Sequence, residues 1–249
     1  MRPVGFSTGA LALADFRSAL RMLDGKPVDA VELSALRQAE LLPLLSAVPS
    51  LPLQRFSHVS IHLPSQFDPG WEAGIERHLH PVLERGWPLV LHPDAISDFG
   101  LWRELGAAVC IENMDKRKPL GRSVRELAPI FDRLPEATFC FDIGHARQYD
   151  PTMNEAWLLL RAFGPRLAQL HVSEVNTRSR HDVLSFTSIL AFQSVAEMVP
   201  EDVPLIVESP VGEAMIEREI SRVREALPLG FKPLPPPPCN WHDRSALAV

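Results

Sequence analysis

The sequence predicts an α/β fold in which eight parallel strands, each followed by a helix, close into a single barrel. Three observations carry this prediction: a length of 249 residues, a regular alternation of short apolar runs with helical patterns, and metal-binding side chains at the ends of those runs. A barrel of this type, the TIM barrel, takes about 250 residues. Strict alternation favours parallel strands joined by helical crossovers, and eight repeats favour closure over an open sheet.

The strands are predicted from eight runs that are apolar or β-branched and bounded by polar residues or proline. They span residues 3–7, 28–33, 57–63, 88–92, 108–112, 138–142, 167–173 and 204–208. Pro64, Pro93 and Pro210 each follow a candidate functional residue by one or two positions. Because proline cannot donate to a central ladder, these strands should end there, which places the functional residues at the strand ends.

The helices are predicted from amphipathic patterns that follow each strand. They span residues 11–23, 36–47, 71–85, 95–105, 122–133, 152–163, 187–199 and 212–226. The last one carries a clear apolar face opposite a charged face. Residues 1–227 therefore form one barrel domain, and residues 228–249 form a Pro-rich C-terminal tail with an extended, polyproline-like run.

The composition excludes several classes of protein. With a net charge of −6, the chain lacks the basic field that draws a protein to nucleic acid. No apolar run approaches the roughly 20 residues of a membrane span, so no membrane partner is expected. The cysteines number three and form no disulfide framework, which favours reduced thiols and a cytoplasmic protein. An exposed helix face or the tail leaves a homodimer open.

Metal-binding side chains end six of the apolar runs. They are His62 in SIHLP, His92 in LVLHP, Glu112 in VCIEN, Asp142 in FCFDIGH, His171 in LAQLHVSE and Glu208 in LIVESP. His145 and His181 lie in the turns just beyond their strands. Parallel barrels expose function at the C-terminal ends of their strands, so these side chains should converge at one mouth.

The residue types predict a divalent-metal centre. Carboxylates with imidazole suit Mn²⁺, Zn²⁺, Fe²⁺ or Mg²⁺. Glu112, Asp142, His171 and Glu208 would hold one ion, and the other two strand-end histidines could complete a second if Glu112 bridges. Two ions about 3.5–4 Å apart can stabilise both the attacking and the leaving oxygen of a phosphoryl displacement. Glu112, Glu208 and His145 are the candidate catalytic residues.

Basic residues follow three of these strands and predict a rim that binds an anionic substrate. The candidates are Lys116, Arg147, Arg178 and Arg180. Lysine and arginine at such positions suit a phosphate or carboxylate group. The alternative is ordinary solvated loop charge.

The motifs FCFDIGHARQYD, VLHPD, VCIEN, IHLP, RHD and IVESP resemble the strand-end motifs of endonuclease IV and of the wider xylose isomerase-like barrel superfamily, over roughly residues 3–227. The resemblance implies three zinc ions: one on His62, His92 and Glu112, one on Glu112, Asp142, His171 and Glu208, and a third on His145 and His181. Ser179 and Ser65 depart from the family, which has an Asp and a DNA-contacting Tyr at these positions. Two or three ions, zinc or manganese with iron as a further option, are therefore expected, and activity on nucleic acid is not.

Four functions remain open on the sequence. The favoured one is a metal-dependent hydrolase of a phosphoester or other small anionic substrate. The alternative is a sugar or sugar-phosphate isomerase or epimerase, in which a single metal polarises the substrate and Glu112 and Glu208 move a proton. An iron-dependent oxidase and a barrel that only binds ligands are the remaining two.

Overall fold

Eight parallel strands close into a barrel in which each strand pairs with its neighbours in sequence order and the last pairs with the first. The computed structural model describes residues 2–230. The barrel strands are β1 Val4–Ser7, β2 Ala30–Ser34, β3 His58–His62, β4 Leu89–Leu91, β5 Val109–Glu112, β6 Thr138–Asp142, β7 Leu167–Val172 and β10 Leu205–Val207. The predicted (β/α)₈ barrel is confirmed, with strand ends within two residues of the predicted ones.

Ten α-helices surround the barrel within residues 2–230. They are α1 Thr8–Ala12, α2 Phe16–Met22, α3 Gln38–Ala47, α4 Glu76–Leu83, α5 Phe99–Glu104, α6 Val124–Arg133, α7 Ile143–Tyr149, α8 Asn154–Phe163, α9 Phe186–Gln193 and α10 Ile216–Ala226. Two short strands, β8 Glu174–Val175 and β9 His181–Asp182, pair as an antiparallel hairpin beyond β7. The sequence patterns did not predict this hairpin. His181 was expected in a turn beyond its strand, and it lies instead in β9.

The helix predicted over residues 11–23 is wrong, because a turn divides it into α1 and α2. Leu13 has a φ of 53°, and the amide of Asp15 donates to the carbonyl of Ala12 at 3.0 Å. The Asp15 carboxylate then accepts from the amide of Ser18 and caps α2. Apolar periodicity continues across the turn, so the pattern alone could not locate it.

Helix α7 also lies outside the predicted set. It begins directly after β6, because the Asp142 carboxylate accepts a hydrogen bond from the amide of His145 at 2.6 Å. A capping aspartate supplies the acceptor that a helix N-terminus lacks. Its effect is to turn the chain within one residue, which brings His145 back over the end of its own strand.

Two apolar cores follow from the alternation of side chains along each strand. Outward-facing residues pack with the helices in one large cluster, which includes Phe139, Phe141 and Trp102. A separate small cluster inside the barrel contains Val90 and Cys110 with Cys140, and both of these cysteines are free thiols.

Two further predictions concern the C-terminal tail and the presence of membrane-spanning helices. The tail predicted over residues 228–249 falls almost entirely outside the described residues, as does Cys239. Within the described part of the chain, no helix combines the length and apolarity needed to cross a membrane.

Candidate metal centre

The acids and imidazoles predicted from the strand ends come together at one mouth of the barrel. His62, Glu112 and Asp142 are the last residues of their strands, and His171 is the penultimate residue of its strand. His92 and Glu208 each lie one residue beyond a strand. All sit at the same end because the strands are parallel and in register, which is the convergence that the sequence predicts.

Glu112 lies at the centre of the group, and its two oxygens face different partners. Oε2 lies 3.2 Å from Nε2 of His62 and 3.1 Å from Nε2 of His92. Oε1 lies 3.2 Å from Nδ1 of His171 and 3.4 Å from Nδ1 of His145. The carboxylate is almost fully buried. It therefore separates two sets of nitrogen ligands and contacts both.

Hydrogen bonds fix the orientation of two of these rings. Nδ1 of His62 lies 2.7 Å from the carbonyl of Leu63, which leaves Nε2 for the centre. Nε2 of His171 lies 3.1 Å from Oε2 of Glu32, which leaves Nδ1 for the centre. Partners of this kind set the tautomer and orientation of a metal-binding histidine. Through this contact Glu32 supports His171, one of the candidate metal ligands.

A third group forms where α7 and the β8–β9 hairpin meet. Nδ1 of His145 lies 3.3 Å from Oδ2 of Asp142, and Nδ1 of His181 lies 2.8 Å from the hydroxyl of Ser173. Ser179, the position at which the resemblance to endonuclease IV implies an Asp, accepts from Nε2 of Gln148 at 2.6 Å. The carboxylate that lies with His145 and His181 in this group is therefore that of Asp142.

Ligand atoms in four overlapping groups lie within 4.8 Å of one another, close enough to share an ion. The groups are His62, His92 and Glu112; Glu112, Asp142, His171 and Glu208; Asp142, His145 and His181; and Glu32, His62, His171 and Glu208. Among residues 2–230, four buried atoms of this centre have no hydrogen-bond partner: Glu32 Oε1, His92 Nδ1, Asp142 Oδ2 and Glu208 Oε2. Such atoms are costly unless a ligand satisfies them, so the residues fit divalent cations.

Burial disfavours the charged form of each ionisable group in the centre. The balance between burial and the neighbouring charges decides whether the pKa of a group is raised or lowered. Burial alone would raise the pKa of Glu112, but the facing imidazoles, His171 first among them, hold this pKa well below its usual range. At Glu208 burial prevails over His171, and repulsion from Asp142 helps to raise the pKa to about 8. Burial would lower the pKa of His62, but Glu112 raises it to about 9. The metal-free centre thus retains protons near neutral pH, which a cation would displace.

A cavity of about 420 Å³ opens onto these groups. His62, His92, Glu112, His145, His181 and Glu208 line it. The four cations predicted to bind substrate are absent from its lining: Lys116, Arg178 and Arg180 are exposed on their loops, and Arg147 pairs with Glu174 at 3.3 Å. Their role stays a prediction, while Arg117 and Lys118 are the cations that line the cavity.

Two buried polar residues that the sequence analysis did not single out hold the centre together. The side-chain amide of Asn113 donates to the carbonyl of Asp142 and accepts from its amide, both at 2.8 Å. Gln169 donates to Oε2 of Glu32 at 2.7 Å and lies 3.0 Å from Nε2 of His171. Each stands one or two residues along the chain from a candidate ligand, and this proximity is the signal that could have identified them.

The fold recurs in solved structures of several enzymes. Endonuclease IV from Thermus thermophilus is 19% identical over 90% of this chain and 99% of its own, with a TM-score of 0.57. A xylose isomerase domain protein from Alicyclobacillus acidocaldarius is 11% identical over 91% and 98%, with a TM-score of 0.61. The 3-keto-D-glucoside 4-epimerase from E. coli is 12% identical over 90% of this chain and 99% of its own, with a TM-score of 0.53. No family model and no curated protein matches the chain. The likeness to these structures confirms the predicted (β/α)₈ barrel fold.

Proposed function

We propose that this protein is a divalent-metal-dependent hydrolase that acts on a phosphoester or another small anionic substrate. The observation that carries the proposal is the division of the Glu112 carboxylate, one oxygen of which faces His62 and His92 and the other His171 and His145. A carboxylate in this arrangement suits a bridge between two ions. Adjacent ions suit displacement at phosphorus, where charge develops on both the attacking and the leaving oxygen.

The chain's own residues have separate roles in this proposal. One ion would be held by His62, His92 and Glu112, a second by Glu112, Asp142, His171 and Glu208, and a third, if present, by Asp142, His145 and His181. A bound divalent ion supplies positive charge that acidifies water and polarises a phosphoryl oxygen. Glu208 lines the cavity and is proposed to accept a proton from the attacking water. His145 lines it as well and is proposed to donate a proton to the leaving oxygen.

The size and charge of the cavity support a small anion as substrate. A volume of about 420 Å³ lies within the range of small-molecule sites. Arg117 and Lys118 line it and can bind phosphate or carboxylate oxygens. The net charge of −6 argues against a long polyanion such as DNA.

The second candidate is a sugar or sugar-phosphate isomerase or epimerase. The group formed by Glu112, Asp142, His171 and Glu208 is complete by itself, and one metal with two glutamates is sufficient to move a proton beside a carbonyl. In that case His62 and His92 would bind sugar hydroxyls. The 3-keto-D-glucoside 4-epimerase shares the fold, which supports an isomerase or epimerase as the second candidate.

The decisive experiment combines a metal count with a hydrolysis assay. Protein stripped by a chelator is reloaded with Zn²⁺ or Mn²⁺, and the bound metal is measured by elemental analysis. Hydrolysis of bis(p-nitrophenyl) phosphate and of p-nitrophenyl phosphate is then followed by release of p-nitrophenolate. We expect about two ions per chain and activity that depends on them.

The result that would refute the hydrolase is a single ion per chain with no release of p-nitrophenolate. Exchange of solvent deuterium into the carbon next to the carbonyl of a ketose would then identify the isomerase. Activity on DNA is tested separately with a duplex that contains an abasic site, and we expect no nicking above that of the metal-free control.

A further inference from the structure

The mouth of the cavity has two walls of opposite chemistry. On the side of β5 the lining includes Arg117 and Lys118 beside the acids and imidazoles. On the side of β1 and β2 the lining residues carry no ionisable side chain: Ser7, Gly9, Ala10, Leu13, Ser34 and Leu36. Because β1 and β5 stand four positions apart in a ring of eight strands, the two walls face each other across the mouth.

Leu13 is held at this mouth in a conformation that disfavours leucine. Its side chain is 70% exposed, and its backbone has φ 53° and ψ −125°. The hydrogen bond from Asp15 to Ala12 closes the turn, in a geometry that glycine adopts most readily. Strained backbone of this kind concentrates at ligand sites. An exposed leucine in a strained turn contributes little to the fold, and its place in the cavity lining leaves its side chain free to contact a ligand.

Leu36 extends the same surface from the end of β2. It is 41% exposed and lies close over Gly9, since a Cβ added to Gly9 would be 3.0 Å from Cδ2 of Leu36 and 3.1 Å from Cβ of Ser34. The absence of a side chain at position 9 therefore lets Leu36 close onto the mouth. We call Leu13 and Leu36 the apolar wall.

The cations of the opposite wall are oriented but not saturated. Nη2 of Arg117 donates to the carbonyl of Ser179 at 2.8 Å, and its Nε lies 3.6 Å from Oδ1 of Asp115. Nζ of Lys118 donates to the Asp94 carboxylate at 2.9 and 3.1 Å. Guanidinium has five N–H donors and ammonium three, so each retains donors for an anion. The anionic part of a ligand is therefore expected on the β5 side.

We propose that the substrate is amphipathic: an ester of phosphate, or of a similar anion, whose alkyl or aryl group packs on the apolar wall. The anionic end of this inference rests on the proposed function, whereas the apolar end rests on Leu13 and Leu36. Burial of leucine against such a group removes apolar surface from water. An entirely polar sugar phosphate of similar size would leave both leucines in water.

The test compares phenylphosphonate with methylphosphonate, whose P–C bonds resist hydrolysis, by calorimetric titration of the metal-loaded protein. We expect the phenyl compound to bind about tenfold more tightly. Leu13→Ala and Leu13→Gly should both bring this ratio close to unity. Leu13→Gly should also raise Tm by roughly 2–4 °C because it relieves the turn, whereas Leu13→Ala should not. Leu190→Ala is the control, since Leu190 is half-exposed on α9 and lies outside the cavity lining.

Equal affinity for the two phosphonates would overturn the inference, and so would an unchanged ratio in both Leu13 variants. If neither phosphonate binds, the proposed hydrolase fails instead, and phenyl and methyl β-glucosides replace them as a neutral pair. If the phenyl glucoside then binds more tightly than the methyl glucoside, and Leu13→Ala removes this preference, the apolar wall is supported for a substrate with a neutral polar group. Equal affinity for the two glucosides would overturn the apolar wall.

Discussion

Two layers of side chains inside the barrel lie two residues apart on the same strands and differ in character. The upper layer, at the mouth, consists of acids and imidazoles such as Glu112 and Asp142. Two residues below them stand Cys110 and Cys140, which form the small inner cluster with Val90. Alternation along a strand places residues i and i+2 on the same face, so backbone geometry does not account for the difference.

The two layers also differ in how their polar atoms are satisfied. In the lower layer Ser60 donates to Glu32 at 3.0 Å, and Gln169 bonds to His58 at 2.9 Å as well as to Glu32. In the upper layer Nδ1 of His92, Oδ2 of Asp142 and Oε2 of Glu208 have no hydrogen-bond partner among the described residues, against Oε1 of Glu32 in the lower layer. Because an unpaired buried carboxylate destabilises a fold, the upper layer is better explained as a ligand site than as packing.

The largest effect is expected from Glu112→Gln. The change keeps the shape of the side chain but removes the charge that faces both sets of imidazoles. Metal affinity should fall by more than the roughly 100-fold that loss of a supporting residue can cost. Elemental analysis after dialysis should find less than half of the wild-type metal. Cys110→Ala, two residues lower on the same strand, is the matched control and should retain it.

If Glu112→Gln binds as much metal as wild type, the carboxylate is not a bridge. The hydrolase proposal then loses the observation that carries it. Hydrolysis of bis(p-nitrophenyl) phosphate by the same variant provides an independent readout, since the assay requires no assumption about the number of ions.

The upper layer was largely predictable from the sequence because each of its residues ends a recognisable strand. His92 and Glu208 precede prolines that end the ladder, so both the residue and its place at the rim could be inferred. The assignment of ligands to separate ions was not derivable from spacing alone. It depends on which oxygen of Glu112 faces which ring, and that is a property of side-chain rotation.

The lower layer and the loops were predictable to a smaller extent. Gln169 looks like an ordinary polar residue in a strand until its neighbours are known. The basic residues beyond the strands, such as Arg147, could be assigned to the correct end of the barrel, but the direction of their side chains could not be predicted. Arg147 lies on α7 and pairs with Glu174, and the sequence pattern does not indicate which acid such a cation will contact.

A smaller effect is expected from Glu32→Gln, which tests how one layer supports the other. Glu32 is fully buried, and its Oε2 contacts His171, Gln169 and Ser60. Loss of its charge should weaken metal binding about 10- to 100-fold and leave the number of ions at saturation unchanged. Titration with a chromophoric chelator measures this affinity. Ser60→Ala, which removes one donor to the same carboxylate, should change the affinity less than threefold.

The metal-free protein should lose stability as the pH rises from 6.5 to 8.5. The pKa of Glu208 is raised to about 8 by burial, so its contribution is present below the ordinary value of 4.5 and is lost towards pH 8. The pKa of His62 is raised to about 9, so its contribution is lost between its ordinary value of 6.5 and pH 9. Both have the same sign and add, so a drop on the order of 4 kcal/mol is expected.

Urea unfolding of chelator-treated protein at both pH values measures this drop. Glu208→Gln cannot ionise and should reduce the drop, whereas Cys140→Ala should leave it unchanged. The metal-loaded protein should show little dependence over the same range, because the ions replace the protons. A metal-free protein that is equally stable at both pH values would mean that the upper layer is less buried than its contacts indicate.

The smallest effect is expected from Cys140→Ala in the lower layer. Burial raises the pKa of the Cys140 thiol well above its usual range, so it should remain neutral and react slowly with a disulfide reagent in the folded protein. Truncation removes a single buried sulfur and should cost about 1 kcal/mol of unfolding free energy. Metal content should not change. The Cys140 sulfur accepts a hydrogen bond from Gln169 at 3.7 Å, and loss of metal in this variant would show that the two layers form one cooperative unit.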